Sequence, residues 1–220
     1  MSLHPRRRPT RRPRTPRQST DELIAAAVGA TIFATLGVCA HHDLLGDMNQ
    51  RVRQLVLRRG PRTVRIARAI TLLSESAIHP VLGLLLSRSA SRVLNEKTYV
   101  PLAASLSDFV VNKGTRLFVH QQRPPGAKPR TGIDRLGYPS GHTLAATVIA
   151  FSTALRIAEG RDAPPRSMLL AAAAAYAGLI GWTRLTLDEH WIDDVVGAWA
   201  GGIALAIIVT RVARARRARG

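Results

Sequence analysis

Six apolar windows, each close to the length that crosses a bilayer, constrain this chain more than any other feature. A membrane-spanning helix needs about 20 mostly apolar residues. The windows cover residues 23–40, 69–87, 98–112, 140–155, 167–183 and 195–210. Two of them hold one acid each, Glu75 in the second and Asp108 in the third. A soluble amphipathic helix alternates apolar and polar faces, whereas the stretch AAAAAYAGLIGW in the fifth window is apolar all round. The expected fold is all-α, a six-transmembrane helical bundle.

Composition supports this once the two ends are set apart. The mean hydropathy of +0.02 averages unlike populations. The first twenty residues carry seven Arg and four Pro with no acid, and the last ten carry five Arg with no acid. The chain therefore divides into a disordered Arg/Pro-rich tail (1–20), a six-span domain (21–210) and a basic C-terminal tail (211–220). A chain so rich in Arg and Pro cannot bury a core. Residues 23–40 read as a retained span, because no small-residue cleavage site precedes His41. The single Cys39 lies within an apolar run and reads as a small buried hydrophobe.

Positive charge collects on cytoplasmic loops. Two basic tails and an even number of spans put both termini in the cytoplasm, with the loop carrying Arg88, Arg92 and Lys97. The loop holding Arg51, Arg53, Arg58, Arg59, Arg62, Arg65 and Arg68 would then face outside, against the rule. Its stretch QRVRQLVLRR reads as a helix lying on the bilayer surface. Glu75 and Asp108 are ionisable groups at membrane depth, read either as functional groups or as parts of buried hydrogen-bond networks.

Three segments stay polar where the chain leaves the membrane. The first runs from Arg116 to Pro124, the second is Tyr138-Pro139-Ser140-Gly141-His142, and the third runs from Arg184 to Asp194. Arg116 and Arg123 are seven apart, close to two helical turns, and are expected on one helix face ended by Pro124. His142 follows Gly141 at a helix start, where free N–H groups and the helix dipole favour an anion. Ser140 can cap that helix or donate to the same anion. His190 and Asp194 are four apart, so on a helix the carboxylate sits beside the imidazole. The 3–4 and 5–6 connections emerge on one face of a six-span bundle, so all three segments can meet there. The set reads as a phosphate site with a nucleophile and an acid. Asp188, Glu189 and Asp193 are expected in salt links or in solvent, with no metal cage.

These segments resemble the signature of the phosphatidic acid phosphatase type 2 and haloperoxidase superfamily: Lys-x6-Arg-Pro, Pro-Ser-Gly-His, then Ser-Arg-x5-His-x3-Asp. The resemblance spans roughly residues 20–210. Arg116 stands at the expected Lys, with Lys113 one turn earlier as the alternative source of the first charge, and Thr183 stands at the usual Ser. The resemblance implies that His190 attacks phosphorus and forms a phosphohistidine, and that Asp194 orients and charges its ring. It implies that His142 protonates the leaving oxygen and then activates water. Arg116, Arg123, Arg184, Ser140 and the Gly141 backbone would hold the phosphoryl oxygens, with no metal or other cofactor.

The expected function is a metal-independent lipid phosphatase at the extracytoplasmic face of a multi-pass cell-membrane protein. Its candidate substrates are a polyprenyl diphosphate, phosphatidylglycerol phosphate or a similar lipid phosphate. One alternative is a lipid-linked phosphotransferase on the same scaffold. Another is a non-enzymatic membrane protein whose Arg tails bind anions, which leaves both histidines and Asp194 unexplained. The expected partners are the lipid substrate and the bilayer, not nucleic acid.

Overall fold

The computed structural model describes residues 15–58, 60–72, 78–94, 97–160 and 162–219. The described residues fold as eight α-helices with one short 3-10 turn, Gly132–Arg135. The helices are α1 (Pro16–His41), α2 (Gly46–Leu57), α3 (Pro61–Thr71), α4 (His79–Leu94), α5 (Val100–Arg116), α6 (Gly141–Ile157), α7 (Arg166–Thr186) and α8 (Ile192–Arg217). Three of them, α1, α7 and α8, are long and apolar enough to cross a membrane. The bundle is organised on α8, which packs against α1, α5, α6 and α7.

Close packing against α8 comes from small residues. A Cβ on Gly29 of α1 would stand 2.6 Å from the Ala200 carbonyl oxygen, and one on Gly202 would stand 2.6 Å from Thr147 Cβ. Without a hydrophobic drive between helices in lipid, such close backbone contact is what holds them together. The outer surface is greasy: Leu23, Ile24, Val28, Ile32 and Val38 of α1 are all exposed. In water that stripe would be an unpartnered apolar face. In a bilayer it faces acyl chains. The molecule is a membrane protein.

Several expectations are corrected. The window at 69–87 is not one helix. It is split between the end of α3 at Thr71 and the start of α4 at His79, and Glu75 lies outside the described residues. Pro80 lacks an N–H and fits only the first turn of a helix, so α4 starts beside it and runs on through Arg88 and Arg92. Arg116 and Arg123 do not share a helix, because α5 ends at Arg116 and Arg123 sits in the following loop. Residues 16–20 are not part of a disordered tail. They form the first turn of α1, where Thr15 Oγ1 accepts the Gln18 N–H at 3.2 Å and Gln18 Oε1 accepts the Thr15 N–H at 3.3 Å. The tail residues 1–14 lie outside the described residues.

The basic C-terminal segment is likewise helical as far as Arg217. Its charges are used at the end of the bundle away from the polar segments. Arg214 donates to both Glu22 and Glu159, and Arg166 pairs with Glu22 at 2.8 Å. Glu22 and Glu159 are buried, so these arginines supply the partners that buried carboxylates require.

Candidate active site

The loop after α5 positions the first polar segment. It leaves Arg116 and returns in extended form, with Gln122 bridged to Leu136 and the Gly137 N–H donating to the Gln121 carbonyl at 2.8 Å. That pairing turns Arg123 back toward Arg116. The second segment follows directly, and Ser140 becomes the N-cap of α6. Its hydroxyl makes no cap hydrogen bond. It is fully buried and bonds Thr143 Oγ1 at 2.9 Å.

The third segment joins α7 to α8. His190 lies in the connecting turn and Asp194 in the first turn of α8. Asp194 Oδ2 stands 2.9 Å from His190 Nδ1 and accepts the Trp191 N–H at 3.0 Å. On the other ring nitrogen, Nε2, Arg123 Nη1 approaches to 2.8 Å. A guanidinium can only donate. Nε2 is therefore the acceptor, Nδ1 carries the proton, and the proton is donated to Asp194. The tautomer that exposes an Nε2 lone pair is fixed by its two neighbours.

Arg116, Arg123, Gly141, His142 and His190 line one cavity of about 550 Å³, together with Lys113, Arg130 and Asp134. Asp194 lies behind His190 and is fully buried. Ser140 and Arg184 do not line the cavity. Arg184 is buried, donates to Thr71 Oγ1 at 2.7 Å and pairs with Glu189 at 3.4 Å. Both candidates for the first charge reach the cavity: Lys113 and Arg116 donate to the same oxygen of Asp134, at 2.5 and 2.8 Å. Asp108 also lines it.

Sequence reasoning missed Arg130, Asp134 and the part played by Glu189. Glu189 accepts from Arg130 at 3.3 Å and lies near Arg123 and Arg184. The expected salt links form at Asp188, with Arg53, and at Glu189, whereas Asp193 is held by neutral hydrogen bonds from Asn49, Gln121 and the Asp194 N–H; all three are buried, not in solvent. Arg130 and Asp134 belong to no motif. The only signal for them was charge in a Gly/Pro-rich loop between two motifs.

Charges here are held under tension. Burial first, then the neighbouring Arg130 and Arg116 charges, weakens the hold of Arg123 on its proton and brings it down to about 9. Hydrogen bonding from Lys113 holds Asp134 below the usual carboxylate range. His190 is pushed well below the usual histidine range by burial, then by the Arg123, Arg184 and Arg116 charges. A base with a lowered pKa is neutral at every pH above that value, so His190 stays neutral across neutral and mildly acidic pH. The unfolded chain takes up this proton near pH 6.5 and the folded chain refuses it, so His190 lowers stability as pH falls below about 6.5. The expected result in a ¹⁵N-histidine titration by NMR is that His190 keeps its Nδ1–H signature from pH 8 to pH 6. A midpoint near 6.5 for this ring would contradict the assignment.

A cavity with three converging guanidiniums, a lysine and two histidines at the edge of an apolar bundle defines a membrane phosphatase. The chain belongs to the PAP2 superfamily, whose family model matches residues 98–218. It is 25% identical over 183 residues to phosphatidylglycerophosphatase B of Bacillus subtilis strain 168, spanning 80% of this chain and 89% of that protein. The fold is shared with the crystal structure of a transmembrane PAP2-type phosphatidylglycerolphosphate phosphatase from Bacillus subtilis. That match has a TM-score of 0.72 and 20% identity, and covers 86% of this chain and 96% of the other.

Proposed function

We propose that this protein removes phosphate from a lipid phosphomonoester or diphosphate through a phosphohistidine at His190, with phosphatidylglycerol phosphate as the leading candidate. The observation that carries this reading is the bracketed imidazole: Asp194 on Nδ1, and a cavity-facing Nε2 beside Arg123. The names of both relatives point to the same substrate class. The cavity's shape also suits a lipid. Its lining also includes the apolar Pro80, Leu106, Phe109 and Ala145, and Leu106 and Phe109 of α5 are exposed at the surface of the bundle.

Phosphoryl transfer is mostly positioning and charge neutralisation. Arg116, Arg123 and the Gly141 N–H meet the phosphoryl oxygens in the cavity. Arg184 adds charge from behind His142 and His190, and Ser140 braces the start of α6. A phosphate that engages Arg123 draws its guanidinium off His190 Nε2, and the freed lone pair attacks phosphorus in line. Asp194 stabilises the ring as it becomes cationic. His142, on the cavity wall, protonates the leaving oxygen and then activates the water that breaks the P–N bond.

We read α1, α4, α5, α6, α7 and α8 as the six spans. The 16 and 17 residues of α4, α5 and α6 reach about 24–26 Å. Their ends lie slightly inside a hydrocarbon core of about 30 Å. The helices α2 and α3, at 12 and 11 residues, are too short to span. As surface helices they let Arg51, Arg58, Arg62, Arg65 and Arg68 lie among headgroups. Basic residues on the extracytoplasmic side then no longer oppose cytoplasmic termini and an extracytoplasmic site.

The test is phosphate release from a panel of lipid phosphates by the purified protein in detergent. Release is expected with EDTA present, because guanidiniums supply the positive charge, and vanadate is expected to inhibit. Activity lost in EDTA and restored by magnesium would overturn the mechanism. A labelled phosphoryl group appearing on an added lipid or sugar instead of water would favour a transferase.

A further inference from the structure

The helices α2 and α3 do more than rest on the surface. Their inward faces touch the catalytic apparatus at three separate places. Asn49 of α2 is buried and donates Nδ2 to Asp193 Oδ2 at 2.9 Å, the residue next to Asp194. Arg53, one turn on, makes two parallel bonds of 2.8 Å to the two oxygens of Asp188, two residues before His190. Thr71 of α3 accepts from Arg184 at 2.7 Å.

The contacts fall on the residues that most need support. Asp188 has a φ of 54°, a left-handed conformation that a non-glycine residue adopts at a cost. Its carboxylate also packs so closely on Gly126 that a Cβ there would overlap it. The fork of Arg53 fixes both oxygens and so fixes the turn that delivers His190. The Asp188 carboxylate in turn pushes the Arg53 guanidinium upward. Asp193 is held by Asn49, by Gln121 Nε2 at 2.9 Å and by the Asp194 N–H at 2.8 Å, which sets the start of α8 and the aim of Asp194. Asn49, Arg53, Asp188 and His190 line one small cavity of 10 Å³, so α2 lies directly against the nucleophile's turn. Neither Asn49 nor Arg53 lines the substrate cavity.

We propose that Arg53 and Asn49 are positioning residues, which hold the His190–Asp194 pair in its attacking geometry from a helix seated on the membrane surface. This rests on the phosphatase reading of the site. The outer face of the same helices carries Arg51, Arg58, Arg62, Arg65 and Arg68 beside Leu55 and Ile66, all exposed. One face suits headgroups and the acyl boundary, and the other grips the active site.

Misplacing a reacting group by about 1 Å can cost about 100-fold in rate. The experiment measures single-turnover phosphoenzyme formation, kcat and KM on an aryl phosphate, with turnover expressed per phosphorylatable site. For Arg53→Ala and Asn49→Ala, kcat is expected to fall roughly 10- to 100-fold with KM within about twofold, since neither residue meets substrate. Arg53→Lys should recover part of the rate, because an ammonium replaces the charge but not the fork. Arg53→Ala combined with Asp188→Ala should be little worse than Arg53→Ala alone. If a variant is poorly folded, turnover per phosphorylatable site separates the two roles: a purely structural residue leaves that number at the wild-type value and overturns the proposal. An active wild type whose two Ala variants keep wild-type kcat also overturns it. A wild type that releases no phosphate overturns the phosphatase reading itself, and this inference with it.

Discussion

Replacing His190 with Ala should abolish turnover and covalent labelling together, with a loss of roughly 10⁴- to 10⁶-fold. No other described side chain at the site is held as this one is. Asp194 accepts a hydrogen bond from the Nδ1–H at 2.9 Å, and Nε2 lies beside Arg123 on the other side of the ring. The imidazole is buried in a cationic surround and kept neutral, so its lone pair is available at neutral pH. The loss should be equal on alkyl and aryl phosphates, because a missing nucleophile matters for any leaving group. The measurement is rapid-quench labelling with a ³²P substrate, followed by mapping of an acid-labile, base-stable phosphoryl group. Label retained in His190→Ala, or mapped to position 142 in the wild type, would reverse the roles.

The second large effect is expected at His142 and should depend on the leaving group. A positioned acid contributes about 10²- to 10⁴-fold. A lipid alkoxide is a poor leaving group and needs its proton. A nitrophenolate leaves without one. His142→Ala should therefore lose about 10²- to 10⁴-fold on an alkyl phosphate and much less on nitrophenyl phosphate. His142 sits in the first turn of α6, with its ring on the wall that also carries Arg116, Arg123 and His190. Equal losses on both substrates would make His142 a phosphate-binding group instead of an acid.

Much of this was legible in the sequence because membrane folding is dominated by one local quantity. Uncharged stretches such as 167–183 and 195–210 declare their helices, since backbone polar groups in lipid must bond within the segment. The residue identities of Arg123, His142, His190 and Asp194 were equally plain. Each lies within a short motif, and His190 and Asp194 do meet at 2.9 Å, although His190 lies in the turn before α8 and not on one helix with Asp194 as the spacing suggested. The window at 69–87 misled because summed hydropathy does not see where a helix breaks. The placement of Arg116 and Arg123 misled because seven residues match two helical turns, while the loop reaches the same convergence through a bridge between Gln122 and Leu136.

The sequence by itself thus determined the apolar helices, the membrane as solvent and the residue types that gather at one end of the bundle. These follow from local composition and short spacings, which act within a turn or two of helix. Only the tertiary structure decided what holds those residues in place. Arg130 and Asp134 reach the cavity from an unpatterned loop, Glu189 gathers three guanidiniums, and Asn49, Arg53 and Thr71 grip the surroundings of His190 across separations of 113 to 144 residues. Such partners leave no periodic trace, because a hydrogen bond between distant segments depends on where the whole chain packs and not on the residues beside each group.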